Sequence, residues 1–113
     1  ALVDQYTSPS QAALLAEAMM EVLERQMVGV FHVVGERMSR YEFALRVAKA
    51  LGFDEGLISP ARMEEFKWFA RRPRDSSLAC EETRSKLSCD FYSTDRALKV
   101  LRAELEAMLG QQV

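Results

Sequence analysis

A run of seven residues, Gly29-Val30-Phe31-His32-Val33-Val34-Gly35, sets the tightest limit on how this chain can fold. Its interior is apolar at nearly every position and rich in β-branched residues, and a glycine fences each end. Alternating polarity would mark a strand with one wet face. A continuous apolar run instead marks a strand buried on both faces, the pattern of a parallel sheet. Helical signals flank it. Ser8-Pro9-Ser10-Gln11 places a capping serine at position 8, proline at the first helical position and a glutamine three residues after the cap. Leu14, Leu15, Ala18, Met19, Val22 and Leu23 then recur at helical spacing to about Arg25. A buried strand set among helices places the chain in the α/β class. His32, inside the run, reads as a satisfied core or interface histidine rather than a ligand.

The next helix is the most clearly punctuated. Ser39-Arg40-Tyr41-Glu42 forms a capping box, Met38 and Phe43 occupy the staple positions around it, and Gly52 stops the helix in the left-handed conformation. Tyr41, Ala44, Leu45, Ala48 and Leu51 make its apolar face. Residues 53–58 form a turn with apolar anchors, and Pro60 keeps Ser59 out of helix. A short helix is expected from Glu81 to about Leu87. A longer one, capped by Ser93 or Thr94 and carrying Leu98, Leu101, Leu105 and Met108 at helical spacing, ends before Gly110. About four helices and a few short parallel strands make this a helix-rich α/β chain, read as a single lobe over residues 1–113.

Ala70-Arg71-Arg72-Pro73-Arg74-Asp75-Ser76-Ser77-Leu78 is the segment with chemistry in it. Three arginines in four positions bring several bidentate donors together, and proline holds the backbone extended. Guanidinium forks match phosphate oxygens in geometry and charge, so the segment reads as a contact to a phosphate or diphosphate. The competing reading is a solvated basic loop paired with Glu64, Glu65, Glu81 and Glu82. Phe66, Trp68 and Phe69 stand just before the arginines, either to stack on a base or sugar or to plug the loop into the body.

Other functions fall away. The net charge of −2 gives no reason to expect nucleic acid, and the basic cluster is too local for a groove-binding stripe. No run approaches the about 18 apolar residues of a membrane span. Cys80 and Cys89, with only His32 to help, make neither a disulfide framework nor a zinc site, so idle thiols in a reducing cytoplasm and no metal are expected. The glycines, at 29, 35, 52, 56 and 110, form no dinucleotide fingerprint or phosphate loop. None of Tyr6, Tyr41 and Tyr92 has a lysine four residues on, and no serine sits in a nucleophile elbow. No catalytic residue is assigned. The chain opens on Ala1-Leu2-Val3-Asp4-Gln5-Tyr6, which reads as a strand entered partway and suggests a piece of a longer protein.

Several of these pieces fall in a familiar order. Val3-Asp4-Gln5, Thr7-Ser8-Pro9-Ser10 leading to Leu15-Ala16, the run 29–35, Ser39-Arg40-Tyr41-Glu42-Phe43-Ala44, Arg72-Pro73 and Ser76-x-Leu78 together resemble the dTDP-4-dehydrorhamnose reductase family. The likeness is to the carboxy-terminal, substrate-binding part of these extended short-chain dehydrogenase/reductases and runs through nearly the whole chain. It implies an oxidoreductase that reduces the 4-keto group of dTDP-6-deoxy-L-lyxo-4-hexulose with NAD(P)H to give dTDP-L-rhamnose. NAD(P)H and the catalytic tyrosine and lysine would belong to a missing Rossmann half, leaving this chain inactive alone. The resemblance carries Arg72 and Asp75 over as contacts to the nucleotide-sugar diphosphate and ribose, with Arg71 and Arg74 beside them. Arg74 stands where the family commonly has glycine. Such a lobe would bind a dTDP-sugar and the missing half, with no nucleic-acid or membrane partner, and would self-associate through the apolar surface that half leaves bare. The same fold also serves as the regulatory subunit of methionine adenosyltransferase, which implies a non-catalytic relative as a second reading. A stand-alone interaction domain docking through Phe66, Trp68 and Phe69 is the third.

Overall fold

The computed structural model describes residues 1–110. Among them are four α-helices, α1 (Ala12–Glu24), α2 (Arg40–Leu51), α3 (Glu81–Lys86) and α4 (Thr94–Gly110), with two very short strands, β1 (Tyr6–Thr7) and β2 (Met38–Ser39). The architecture is helix-rich α/β, as the residues imply. The strand pairing differs from expectation: β1 and β2 are antiparallel, with Tyr6 opposite Ser39 and Thr7 opposite Met38. Contacts group the chain into two compact units, Ala1–Ser8 with Arg37–Ser77, and Pro9–Glu36 with the chain from Leu78 onward.

The first unit is organised on its amino-terminal stretch, which runs extended and meets a neighbour on each side. Leu2 bridges Ala61 and Tyr6 bridges Asp75, both in parallel sense, while β2 lies antiparallel. The Val3 N–H donates to the Ala61 carbonyl (2.9 Å) and the Tyr6 N–H to the Arg74 carbonyl (2.7 Å). One short stretch thus collects three distant segments, because extended backbone offers donors and acceptors on both edges. From β2 the chain turns directly into α2. Ser39 Oγ accepts the Glu42 N–H at 3.1 Å, and Gly52 ends the helix at φ +78°, a conformation that favours glycine. Asp54 caps a single 3₁₀ turn, Glu55–Leu57, by accepting the Gly56 N–H, and a second 3₁₀ turn follows at Met63–Glu65.

The second unit packs α1 and the residues around α3 over one apolar cluster: Leu14, Ala18, Val34, Cys80, Leu87 and Phe91. Leu14 is 2% exposed, and burying a side chain of that size contributes about 2 kcal/mol. Helix α1 begins later than its sequence signal. Gln11 is the cap, its side-chain oxygen accepting the Leu14 N–H at 3.0 Å, and Ser8 and Pro9 precede the helix. Ser10 is drawn elsewhere, its hydroxyl donating to the Val33 carbonyl at 2.9 Å. Ser93 Oγ accepts the Arg96 N–H and caps α4.

The apolar run 29–35 is not a strand. No ladder forms beside it among the described residues. Its backbone bonds are scattered: the His32 N–H donates to Thr83 Oγ1 (3.1 Å), and the Gly35 N–H to the Pro9 carbonyl (3.1 Å). Gly35 has to be glycine, since any Cβ there would collide with the Pro9 carbonyl oxygen. Val34 is buried, whereas Val30 is 86% exposed and His32 is exposed rather than part of the core. Apolar character and β-branching favour extended backbone, but a strand exists only where a second strand completes its bonds.

A polar fastening holds α1 to the turn after α3. The Glu21 carboxylate accepts the backbone N–H groups of Ser88 (2.8 Å) and Cys89 (3.0 Å), the Ser88 hydroxyl (2.8 Å) and the Arg25 guanidinium (2.6 Å). Led by the Ser88 backbone donor, these bonds push the Glu21 pKa down to about 2 from 4.5. A carboxylate with a lowered folded-state pKa stabilises the fold above its unfolded value, and that contribution fades as pH falls toward the folded value. Glu21→Gln is therefore expected to unfold more readily than the native chain at neutral pH, with the difference shrinking from about pH 4.5 and vanishing near pH 2. Denaturant titrations across that range check it; a pH-independent difference would remove the charge from the explanation.

Candidate functional site

The arginine segment lies within the first unit, against the second 3₁₀ turn. Met63, Glu64, Trp68, Arg71, Arg72, Pro73 and Arg74 line an open depression of about 440 Å³. Two residues of the amino-terminal stretch set its shape. Asp4 Oδ1 accepts the Met63 N–H (2.9 Å), and its Oδ2 accepts from the Arg74 guanidinium (3.1 Å), so one carboxylate fastens both walls. Gln5, itself buried, donates from Nε2 to the Pro73 carbonyl at 3.2 Å. The segment is thus tied down at Pro73 and Arg74, directly after Arg71 and Arg72.

Arg71, Arg72, Arg74 and Asp75 separate into two groups. Arg71 and Arg72 line the depression, are exposed, and have no hydrogen bond or ion pair among the described residues. Their guanidinium groups do not pair with Glu64 or Glu65; Glu65 instead accepts the Arg62 N–H of its own turn. Arg74 is committed to Asp4. Asp75 is not among the residues lining the depression and is heavily engaged: Oδ1 accepts the Ser77 hydroxyl (2.5 Å) and N–H (2.9 Å), and Oδ2 accepts from Arg37 (3.0 Å). The Ser77 hydroxyl first, then its N–H, with Arg37 adding, hold the Asp75 carboxyl below its ordinary value. Arg37 also lies over the Tyr6 ring, 4.1 Å from its centre. Asp75 therefore closes a short Tyr6–Arg37–Asp75–Ser77 network that fixes the far end of the arginine segment.

The aromatic residues also divide. The Trp68 indole N–H donates to the Met63 carbonyl at 3.0 Å, and Phe66 packs tilted against it with ring centres 6.2 Å apart. Trp68 is held as a wall of the depression yet stays 43% exposed, whereas Phe69 projects entirely into solvent. Asp4, Gln5 and Arg37 carry the site's geometry without having stood out as functional in the sequence. Nothing about an aspartate near the start of a chain reveals that it will meet a backbone N–H 59 residues away.

The thiols are free, and the chain presents no metal cluster among the described residues. Cys80 is buried, and burial pushes its thiol pKa up, as it does for Cys89, which leaves both poorly suited to nucleophilic work. No described helix is long and apolar enough to cross a membrane.

The fold is shared with known proteins. The chain is 38% identical to the crystal structure of a hypothetical dTDP-4-dehydrorhamnose reductase from Sulfolobus tokodaii, with a TM-score of 0.67 over 80% of this chain and 33% of that one. A dTDP-4-dehydrorhamnose reductase from Bacillus anthracis, in complex with NADP, has the same fold at 24% identity, with a TM-score of 0.76 over 91% of this chain and 37% of its own. Among curated proteins, a probable low-salt glycan biosynthesis reductase, Agl14, of Haloferax volcanii is 29% identical over 101 residues, 88% of this chain. The chain spans about a third of that relative's length, 34%. Residues 1–106 match the family described as the RmlD substrate binding domain, and with nearly its whole length inside that match the chain belongs to this family.

Proposed function

We propose that this chain is the nucleotide-sugar-binding part of a cytoplasmic dTDP-4-dehydrorhamnose reductase-like enzyme, which reduces the 4-keto group of dTDP-6-deoxy-L-lyxo-4-hexulose to give dTDP-L-rhamnose. One observation carries the reading. Two guanidinium groups without partners among the described residues, Arg71 and Arg72, line the same depression, directly before the Pro73 carbonyl that Gln5 holds. Unpaired arginines suit the diphosphate of a nucleotide sugar, because the planar guanidinium fork matches phosphate oxygens in geometry and charge. Asp75 contributes by holding the segment through Arg37 and Ser77, and Arg74 by anchoring it to Asp4. Binding energy gathered on the diphosphate, far from the reacting carbon, orients the keto sugar for reduction.

The hydride donor, NAD(P)H, belongs in this reading to the remainder of the enzyme. The Bacillus anthracis relative is a complex with NADP. In this reading no residue of this chain is assigned to the dinucleotide. Gly35 is taken up by close approach to Pro9 and Gly52 by a helix end, and no glycine-rich loop remains among the described residues to receive a pyrophosphate. The same remainder is the partner for the apolar groove of the second unit, where Leu15, Met19, Val22, Phe31 and Val33 lie together. Without it, a second copy of the chain would cover that face.

Turnover tests the proposal. A longer parent protein containing this chain should consume NAD(P)H only when supplied with the dTDP-4-keto sugar. Substrate binding without turnover would replace the reductase reading with a non-catalytic one, and absence of both would end the nucleotide-sugar reading.

A further inference from the structure

We propose that Trp68 is the base-recognition residue of this site: it stacks on the ring of a nucleoside diphosphate whose phosphates are taken by Arg71 and Arg72. This rests on the anion contact argued above and adds the other half of the ligand.

Three features of the depression support it. First, Trp68 is held in place rather than free. Its indole N–H is fixed on the Met63 carbonyl and Phe66 packs against its ring, so little side-chain freedom is lost when a ligand settles on it. A buried plug would lose its exposure, and Trp68 keeps 43%. Second, an aromatic ring and two unpaired guanidinium groups line one depression of about 440 Å³, a size in the range of small-molecule sites. A planar base joined to a diphosphate matches that pairing of an aromatic wall with cations. Third, Glu64 also lines the depression. Its carboxylate opposes a bare inorganic anion but suits the hydroxyl groups of a ribose or sugar, which favours a nucleotide over phosphate or pyrophosphate alone. Phe69, wholly exposed, is not part of the wall.

Trp68 is the single tryptophan of the chain, so its fluorescence reports this ring alone. The 113-residue chain would be titrated with dTDP and, separately, with inorganic pyrophosphate. Stacking predicts saturable quenching by dTDP, displacement of dTDP by pyrophosphate, and no quenching by pyrophosphate itself. In calorimetric titrations Trp68→Ala is expected to weaken dTDP binding about tenfold, in line with the usual effect of removing a stacking ring, while pyrophosphate affinity stays unchanged. Trp68→Phe should retain most of the dTDP affinity. If dTDP and pyrophosphate bind equally well and neither changes the fluorescence, stacking is overturned while the anion contact stands. If neither binds, both fall. Should Trp68→Ala not fold, the quenching of the unaltered chain and the affinity of Trp68→Phe still decide the matter.

Discussion

In an intact reductase containing this chain, Arg72→Ala is expected to raise the KM for the nucleotide sugar by roughly 10- to 150-fold, with NADPH affinity left near normal. The magnitude follows from a charge-assisted hydrogen-bond contribution of about 1.5–3 kcal/mol, with about 1.36 kcal/mol for each tenfold. Arg72 lines the depression and has no partner among the described residues, so its removal breaks nothing in the unliganded fold. The lost energy is then lost from the complex alone. Arg72→Lys should recover part of the charge but not the bidentate geometry, and so sit between the two. Steady-state kinetics with both substrates varied would read this directly. An unchanged KM for the sugar would mean that Arg72 faces solvent and the diphosphate binds elsewhere.

The largest stability effect is expected at Phe91, which is 4% exposed in the core cluster with Leu14, Ala18, Val34, Cys80 and Leu87. Phe91→Ala should cost about 3–5 kcal/mol, the transfer energy of the ring plus that of the cavity it leaves. Phe69→Ala, by contrast, should change stability by less than about 0.5 kcal/mol, since the ring already lies in water. Denaturant unfolding of both variants makes the comparison. A large loss at Phe69 would mean that its ring is buried in the folded chain.

That pair of phenylalanines shows where local reading stops. Phe69 draws attention because Phe66 and Trp68 stand next to it, and Phe91 draws none because it lies in a short linker between helices. Burial depends on which segments converge, and the residues that share a cluster with Phe91 come from α1, from the run 29–35 and from the two residues that flank α3. The cap of α1 makes the same point on a smaller scale. Ser8 and Ser10 are both good capping residues, but the Ser10 hydroxyl is claimed by Val33, and Gln11 caps in their place. A local preference of about 1 kcal/mol yields to a contact made across the fold.

Helix ends whose signals are confined to a few neighbouring residues are legible in the sequence by itself: Ser39 and Gly52 bracket α2 because capping and left-handed backbone involve atoms only a turn apart. The run 29–35 is legible as apolar and β-branched but not as unpaired, since pairing requires a second segment that no residue within the run can specify. The arginine segment is legible as chemistry, with its three guanidinium groups present whatever the fold. Only the tertiary structure decides which of them remain available. Asp4 takes Arg74 from 70 residues away, Arg37 and Ser77 take Asp75, and Arg71 and Arg72 are left lining the depression with Trp68. The physical reason is that charge type is a property of a residue, whereas the neutralisation of a charge is a property of whatever the chain folds against it.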